Sequence, residues 1–176
     1  FEEVRRETVI VHLKDKSTGK FALLNWHGTL EGITTAIMGG VEEGQTPEVA
    51  ALAEIAEEVG LDTARIVHQA SWITAAKYCA SHKKQNRTAH AYAFLAEVDD
   101  LSSQKDIASS EQALHTLEWV DESKVLARLT PEHQKQVWQL LRNSEDAITS
   151  DGYLINSGLF DGRDNREVMQ EIVEGV

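Results

Sequence analysis

From Gly39 to Leu61 the chain reads GGVEEGQTPEVAALAEIAEEVGL: a glycine pair, an acidic loop and a run with three glutamates near its end. Thr46 can accept from orphan amides as an N-cap, and Pro47 suits the first helical position, where its missing N–H has no intrahelical partner. Gly60 fits the left-handed position after the last turn. The spacing therefore predicts a helix from about Pro47 to Val59. Val49, Leu52, Ala56 and Val59 recur at intervals of three and four and predict its buried stripe. Glu54, Glu57 and Glu58 are then expected together on the opposite face, where like charges repel. No lysine or arginine occurs from Phe21 to Ala64, while Glu31, Glu42, Glu43, Glu48, Glu54, Glu57, Glu58 and Asp62 all add negative charge. Such glutamates form either a solvated helix face or a seat for a hard divalent cation such as Mg²⁺ or Mn²⁺.

The pattern resembles the Nudix box: Gly, five residues, Glu, seven residues, Arg-Glu-apolar, one residue, Glu-Glu, one residue, Gly-apolar. Gly39 opens the match, Leu61 closes it, and Glu54, Ile55, Glu57, Glu58 and Gly60 fall on their positions. Gln45 stands where the family has a loop glutamate, and Ala53 where it has the arginine that orients the helix carboxylates. The resemblance implies a Nudix α/β/α sandwich with a mixed central sheet. It also implies Gly39, Glu54, Glu57 and Glu58 as metal residues, with the three glutamates catalytic. A site short of one carboxylate and its guanidinium is expected to hold metal weakly.

Around this stretch, 176 residues suit one domain with a small appendage, and we place the boundary at 145/146. A net charge of −12 argues against a generic nucleic-acid binder and leaves room for a local basic patch. No apolar run approaches the roughly 20 residues of a membrane-spanning helix. Cys79, the one cysteine, has no internal partner for a disulfide, which is consistent with the cytoplasm, and reads as structural or incidental. A chain opening on Phe1 is expected to be part of something longer.

Arg5–Leu13 and Phe21–Trp26, joined by a turn at Asp15–Gly19, read as a hairpin. Thr34–Met38 reads as a third strand leading into Gly39. Arg65–Ala75 and Thr88–Val98 read as a long central pair, with Ala91, Ala93 and Leu95 on one face and Tyr92, Phe94 and Ala96 on the other. His115–Val120 is a further strand. A second helix is expected from Thr130-Pro131 to about Leu141, with Val137, Leu140 and Leu141 inward. The polar, serine-rich run Asp99–Gln112 reads as a mobile surface loop.

Between the long strands, Lys77, His82, Lys83, Lys84, Arg87 and His90 make the one basic patch of an acidic chain. Either it is a solvated hairpin loop, or Lys77, Lys83, Lys84 and Arg87 contact the phosphates of a nucleotide or of tRNA while Tyr78 stacks on a base. His82 and His90, eight residues apart without cysteines, do not suggest a metal pair.

The tail Asp151–Gly162, DGYLINSGLFDG, followed by a helix with Val168, Ile172 and Val173, resembles the end of the editing insertion of leucyl-, isoleucyl- and valyl-tRNA synthetases. The opening RRETVIVHLKDKSTGKFALLNW is similar to the entry into that insertion in a divergent group of leucyl-tRNA synthetases. The Thr-Thr-Arg-Pro motif of the ordinary editing site is absent, since Ala36 and Ile37 follow Thr34 and Thr35. Two functions are therefore expected. One is a tRNA-facing module for aminoacyl-tRNA editing or tRNA positioning within a leucyl-tRNA synthetase. The other is a metal-dependent Nudix hydrolase of a nucleoside-diphosphate-linked substrate.

Overall fold

The computed structural model describes residues 1–80, 83–142 and 153–157. Its elements are β1 (Glu2–Asp15), β2 (Lys20–Trp26), β3 (Thr34–Thr35), β4 (Ile37–Gly40), α1 (Pro47–Val59), β5 (Arg65–Ala80), β6 (Gln85–Val98), α2 (Ser109–Leu114), β7 (His115–Asp121), α3 (Glu122–Arg128), α4 (Glu132–Arg142) and β8 (Tyr153–Ser157). One mixed sheet runs β3-β2-β1-β6-β5-β8, with β4 also paired to β1 and β7 to β2.

β1 is the axis of this sheet. It lies parallel to β6 from Glu2↔Gln85 to Asp15↔Val98 and antiparallel to β4, which sets Val9 opposite both Tyr92 and Gly39. Side chains alternate across a strand, and here they feed two cores. Val9, Val11, Leu13, Phe94, Ala96 and Val98 pack with Ile55 and Val59 of α1. On the other face, Ile10, Ala91 and Ala93 pack with Val137, Leu140 and Leu141 of α4. A third cluster joins Phe21 and Leu23 of β2 to Val125, Leu129 and Trp138. Each fully buried aliphatic side chain contributes about 1.5–3 kcal/mol of hydrophobic stabilisation. The result is the expected α/β/α sandwich. Among the described residues no helix is long and apolar enough to cross a membrane.

The predicted strand Thr34–Met38 is two short ones. Thr34 and Thr35 pair with β2, the chain then crosses over, and Ile37 pairs with β1. Ala36 at the crossing belongs to neither ladder, and its N–H donates to the buried Gln134 Oε1 of α4 at 3.0 Å. The basic segment is mostly not a loop: β5 continues to Ala80 and β6 starts at Gln85, because cross-strand pairing through Lys77↔Thr88 and Tyr78↔Arg87 satisfies that backbone. Nor is Asp99–Gln112 loose. Gln104 Nε2 donates to Val59 O at 2.9 Å and Lys105 N to Gly60 O at 2.8 Å, tying the segment to the end of α1 before α2 begins.

The appendage is described only at β8, which extends the sheet parallel to β5 with Ile73↔Tyr153 to Lys77↔Ser157. The boundary at 145/146 and the turn and helix expected after Ser157 lie outside the described residues, as does His82.

Candidate active and metal site

α1 forms as its sequence dictates. Thr46 Oγ1 accepts from Val49 N at 3.2 Å, Pro47 opens the helix, and Gly60 ends it with φ 78° and ψ 25°. Its buried face is rotated from the expected one. Ala50, Ala51, Ile55, Glu58 and Val59 are buried, whereas Val49 is exposed and Ala56 faces solvent. The i, i+4, i+8 row Ala51-Ile55-Val59 meets the sheet, and small alanines let the helix approach closely. This rotation separates the three glutamates. Glu57 stays exposed, Glu54 is half-buried and Glu58 is 5% exposed.

Gly39 has a specific reason to be glycine. A Cβ there would stand 2.1 Å from Glu54 Cδ and 2.2 Å from its Oε1, so the Glu54 carboxyl occupies the space a side chain would fill. Glu58 lies deeper; the backbone of Met38 hydrogen-bonds its carboxylate, yet Oε2 has no protein partner. Burial, with the negative charge of Glu57, Glu111 and Glu42 added, pushes the Glu54 carboxyl up to about 7. Burial and then Glu54, Glu111 and Glu57 push Glu58 up to about 9 against the opposing Met38 hydrogen bond.

Glu111, on α2, was not legible as a site residue, and neither was His115 at the start of β7. With Glu58 they offer three ligand atoms within 4.8 Å of one another, the one such group of three among the described residues. His115 Nε2 lies 3.2 Å from Glu111 Oε2, and the buried His115 Nδ1 has no hydrogen-bond partner. Donors on one divalent ion at about 2.0–2.1 Å stand roughly 3–4 Å apart, so the group needs little closing to hold one. Orphaned polar atoms inside an acidic cluster fit a cation. Of the four metal residues the resemblance implied, Glu58 belongs to this tight group; Gly39 and Glu54 form its wall, and Glu57 sits on the exposed side of α1.

The two departures from the box have visible consequences. Gln45 turns back on its own loop, its Oε1 accepting from Glu42 N at 3.0 Å, so it braces the turn. Ala53 is exposed and offers no donor to the glutamates.

The basic residues are not brought to this site as a patch. Lys77 is buried, Arg87 is half-buried with Nε and Nη2 on Gln85 Oε1, and Lys83 and Lys84 are exposed at the hairpin tip. Lys77 is paired with Thr88, on the α1 side of the sheet by strand alternation from Phe94, which places Arg87 on the opposite side. Tyr78 pairs with Arg87 at the backbone. The tip begins seven residues beyond the Gly39 level, from Val9↔Tyr92 to Glu2↔Gln85, or about 23 Å along the strand at ~3.3 Å per residue.

The family model of the NUDIX domain matches residues 4–141. The chain belongs to the NUDIX family. Solved structures agree with that in fold. The E. coli dihydroneopterin triphosphate pyrophosphohydrolase superposes with a TM-score of 0.56 at 18% identity, covering 80% of this NUDIX chain and 99% of that one. The MutT protein from Methanosarcina mazei Go1 gives 0.55 at 17%, covering 84% and 99%. An Ap4A hydrolase of C. elegans gives 0.54 at 14%, covering 79% and 95%. In sequence, an RNA pyrophosphohydrolase of Gluconobacter oxydans (strain 621H) is 51% identical over 37 residues, 20% of this chain and 22% of that protein. That match spans about a fifth of the relative's length.

Proposed function

We propose that this NUDIX domain is a divalent-metal-dependent hydrolase that cleaves a phosphoanhydride in a nucleoside-diphosphate-linked substrate. The observation that carries the reading is the convergence of Glu54, seated on Gly39, with the inward Glu58 and with Glu111 and His115 arriving from α2 and β7. The names of the similar proteins, pyrophosphohydrolases among them, point the same way.

Glu58, Glu111 and His115 would hold the ion, which when bound polarises phosphoryl oxygens and acidifies a water molecule. Glu54, held near neutrality by its surroundings, is suited to take the proton of that water as its oxygen bonds to phosphorus and the bridging P–O bond breaks. Glu57, exposed at the rim, adds negative charge that attracts a cation. With Ala53 in place of an orienting arginine, the carboxylates are under-braced and turnover is expected to be slow.

The alternative, a module for editing or tRNA positioning inside a leucyl-tRNA synthetase, rests on the head and tail sequences. None of the solved structures named above is a synthetase, and the hydrolase reading is the better supported. A panel of nucleoside triphosphates, dinucleoside polyphosphates, ADP-ribose and 5′-triphosphate RNA with Mn²⁺ tests it. We expect one class to be cleaved below the ordinary range of roughly 1 s⁻¹, with at least a ~100-fold loss in Glu54→Gln. Indistinguishable rates for wild type and variant on every member would defeat the proposal.

A further inference from the structure

The metal group contains a residue of a different kind from the carboxylates of the helix. His115 is buried at the first position of β7, its ring set edge-on to the Trp26 indole with centroids 5.1 Å apart, so its orientation is fixed by packing. One ring nitrogen faces Glu111 Oε2 at 3.2 Å, and the other is buried without a partner. A buried imidazole nitrogen left unpaired costs free energy unless something satisfies it. Glu58, grouped with His115 and only 5% exposed, carries a second unpartnered atom, Oε2. One ligand atom each from Glu58 on α1, Glu111 on α2 and His115 on β7 lie within 4.8 Å of one another. The shared chemistry that satisfies all three is a cation that accepts nitrogen as well as oxygen.

We infer that His115 supplies a nitrogen ligand to the metal, with Glu58 and Glu111 as its oxygen ligands, and that the site selects Mn²⁺, Co²⁺ or Zn²⁺ over Mg²⁺. Magnesium is a hard ion that takes oxygen and keeps its waters, whereas imidazole raises affinity along the first transition row. The choice follows from the chain's own residues: an all-carboxylate site would discriminate less. Glu111 and His115 are four residues apart across the junction between α2 and β7, so the packing that buries His115 also limits how far Glu111 can swing. The inference deepens the hydrolase reading but depends only on its metal-holding part.

The test is pulsed electron paramagnetic resonance of Mn²⁺ bound to the full chain, with histidine at natural abundance and ¹⁵N-labelled. A directly bound imidazole gives ¹⁴N modulation that the label replaces, and neither requires a substitution that endangers folding. His115→Gln should remove the signal, and calorimetry on the unsubstituted chain should give a dissociation constant for Mn²⁺ at least ~10-fold below that for Mg²⁺. Binding of Mn²⁺ without nitrogen modulation would overturn the inference while leaving a carboxylate-based hydrolase standing. Nitrogen modulation in a protein that cleaves no phosphoanhydride would uphold it and sink the hydrolase instead.

Discussion

The carboxyl group of Glu54 fills the place where a side chain on Gly39 would be, 2.1 Å from an ideal Cβ at that position. The missing side chain at this point of β4 leaves room for the Glu54 carboxyl where α1 approaches, so the box glycine and the first box glutamate of the helix form one packing unit.

Gly39→Ala should separate that unit. The clashing atoms are the far end of a flexible side chain, so Glu54 can swing away and the fold survives, with a melting temperature within about 3 °C of wild type. Mn²⁺ affinity should fall by about 10-fold because a neighbouring carboxylate is misplaced. Unchanged affinity in a well-folded variant would show that the Glu54 seat does not serve the metal.

Gly60→Ala is a different case. Gly60 has φ 78°, and a Cβ would stand 2.1 Å from the backbone oxygen of Lys105, which cannot rotate aside. We expect a loss of about 2–4 kcal/mol from left-handed strain and a disrupted Lys105 N–H bond, read from urea denaturation. A loss under ~0.5 kcal/mol would mean that the segment after Leu101 does not hold α1 as described.

The buried Glu58 should leave a signature in the pH dependence of stability. Its folded value is raised from 4.5 to about 9, so the unfolded chain gives up the proton first. Stability associated with the protonated carboxyl is complete below about 4.5 and is lost as pH rises towards 9. Metal-free wild type should therefore weaken between pH 5 and 8. Glu58→Gln keeps an acceptor for Met38 and should be flatter, by roughly 2–3 kcal/mol over that window. Parallel curves in denaturant melts with a chelator present would contradict the burial of this carboxyl.

The position of the hairpin tip predicts different behaviour toward small and polymeric substrates. Lys83 and Lys84 lie beyond the reach of a mononucleotide seated at Glu54, so replacing Lys83, Lys84 and Arg87 by Ala should leave its kcat/KM within about twofold. If the tip contacts single-stranded RNA, the same change should lower the salt slope of binding by about 0.7 per lost phosphate contact. A slope unchanged by the triple substitution would make the tip a solvated turn.

The box was readable because its information is local: caps at Thr46 and Gly60, the Pro47 start, and carboxylates at fixed spacing. Strands rich in β-branched residues and the amphipathic α4 were readable for the same reason. Glu111 and His115 were not, since they reach the glutamates only through tertiary packing. Their surroundings also misled: α2 has six residues and follows Ala108, which gives no side-chain cap, inside a serine-rich run that reads as loop. The rotated face of α1 was hidden because half of its apolar residues are alanines, so hydrophobic spacing alone favoured Val49 and Ala56. What turned Ala50, Ala51 and Glu58 inward is the sheet beneath them. The basic segment misled in the opposite direction, because charge suggested a loop where strand pairing prevails.

The central claim is that Glu58 of α1, with Glu111 and His115, holds a divalent cation inside the acidic surroundings of Glu54 and Glu57, and calorimetric titration of Mn²⁺ tests it most directly. The account predicts weak, saturable heat for wild type, with the heat abolished when Glu57 and Glu58 are both changed to Gln. Equal heats from the two proteins would contradict it.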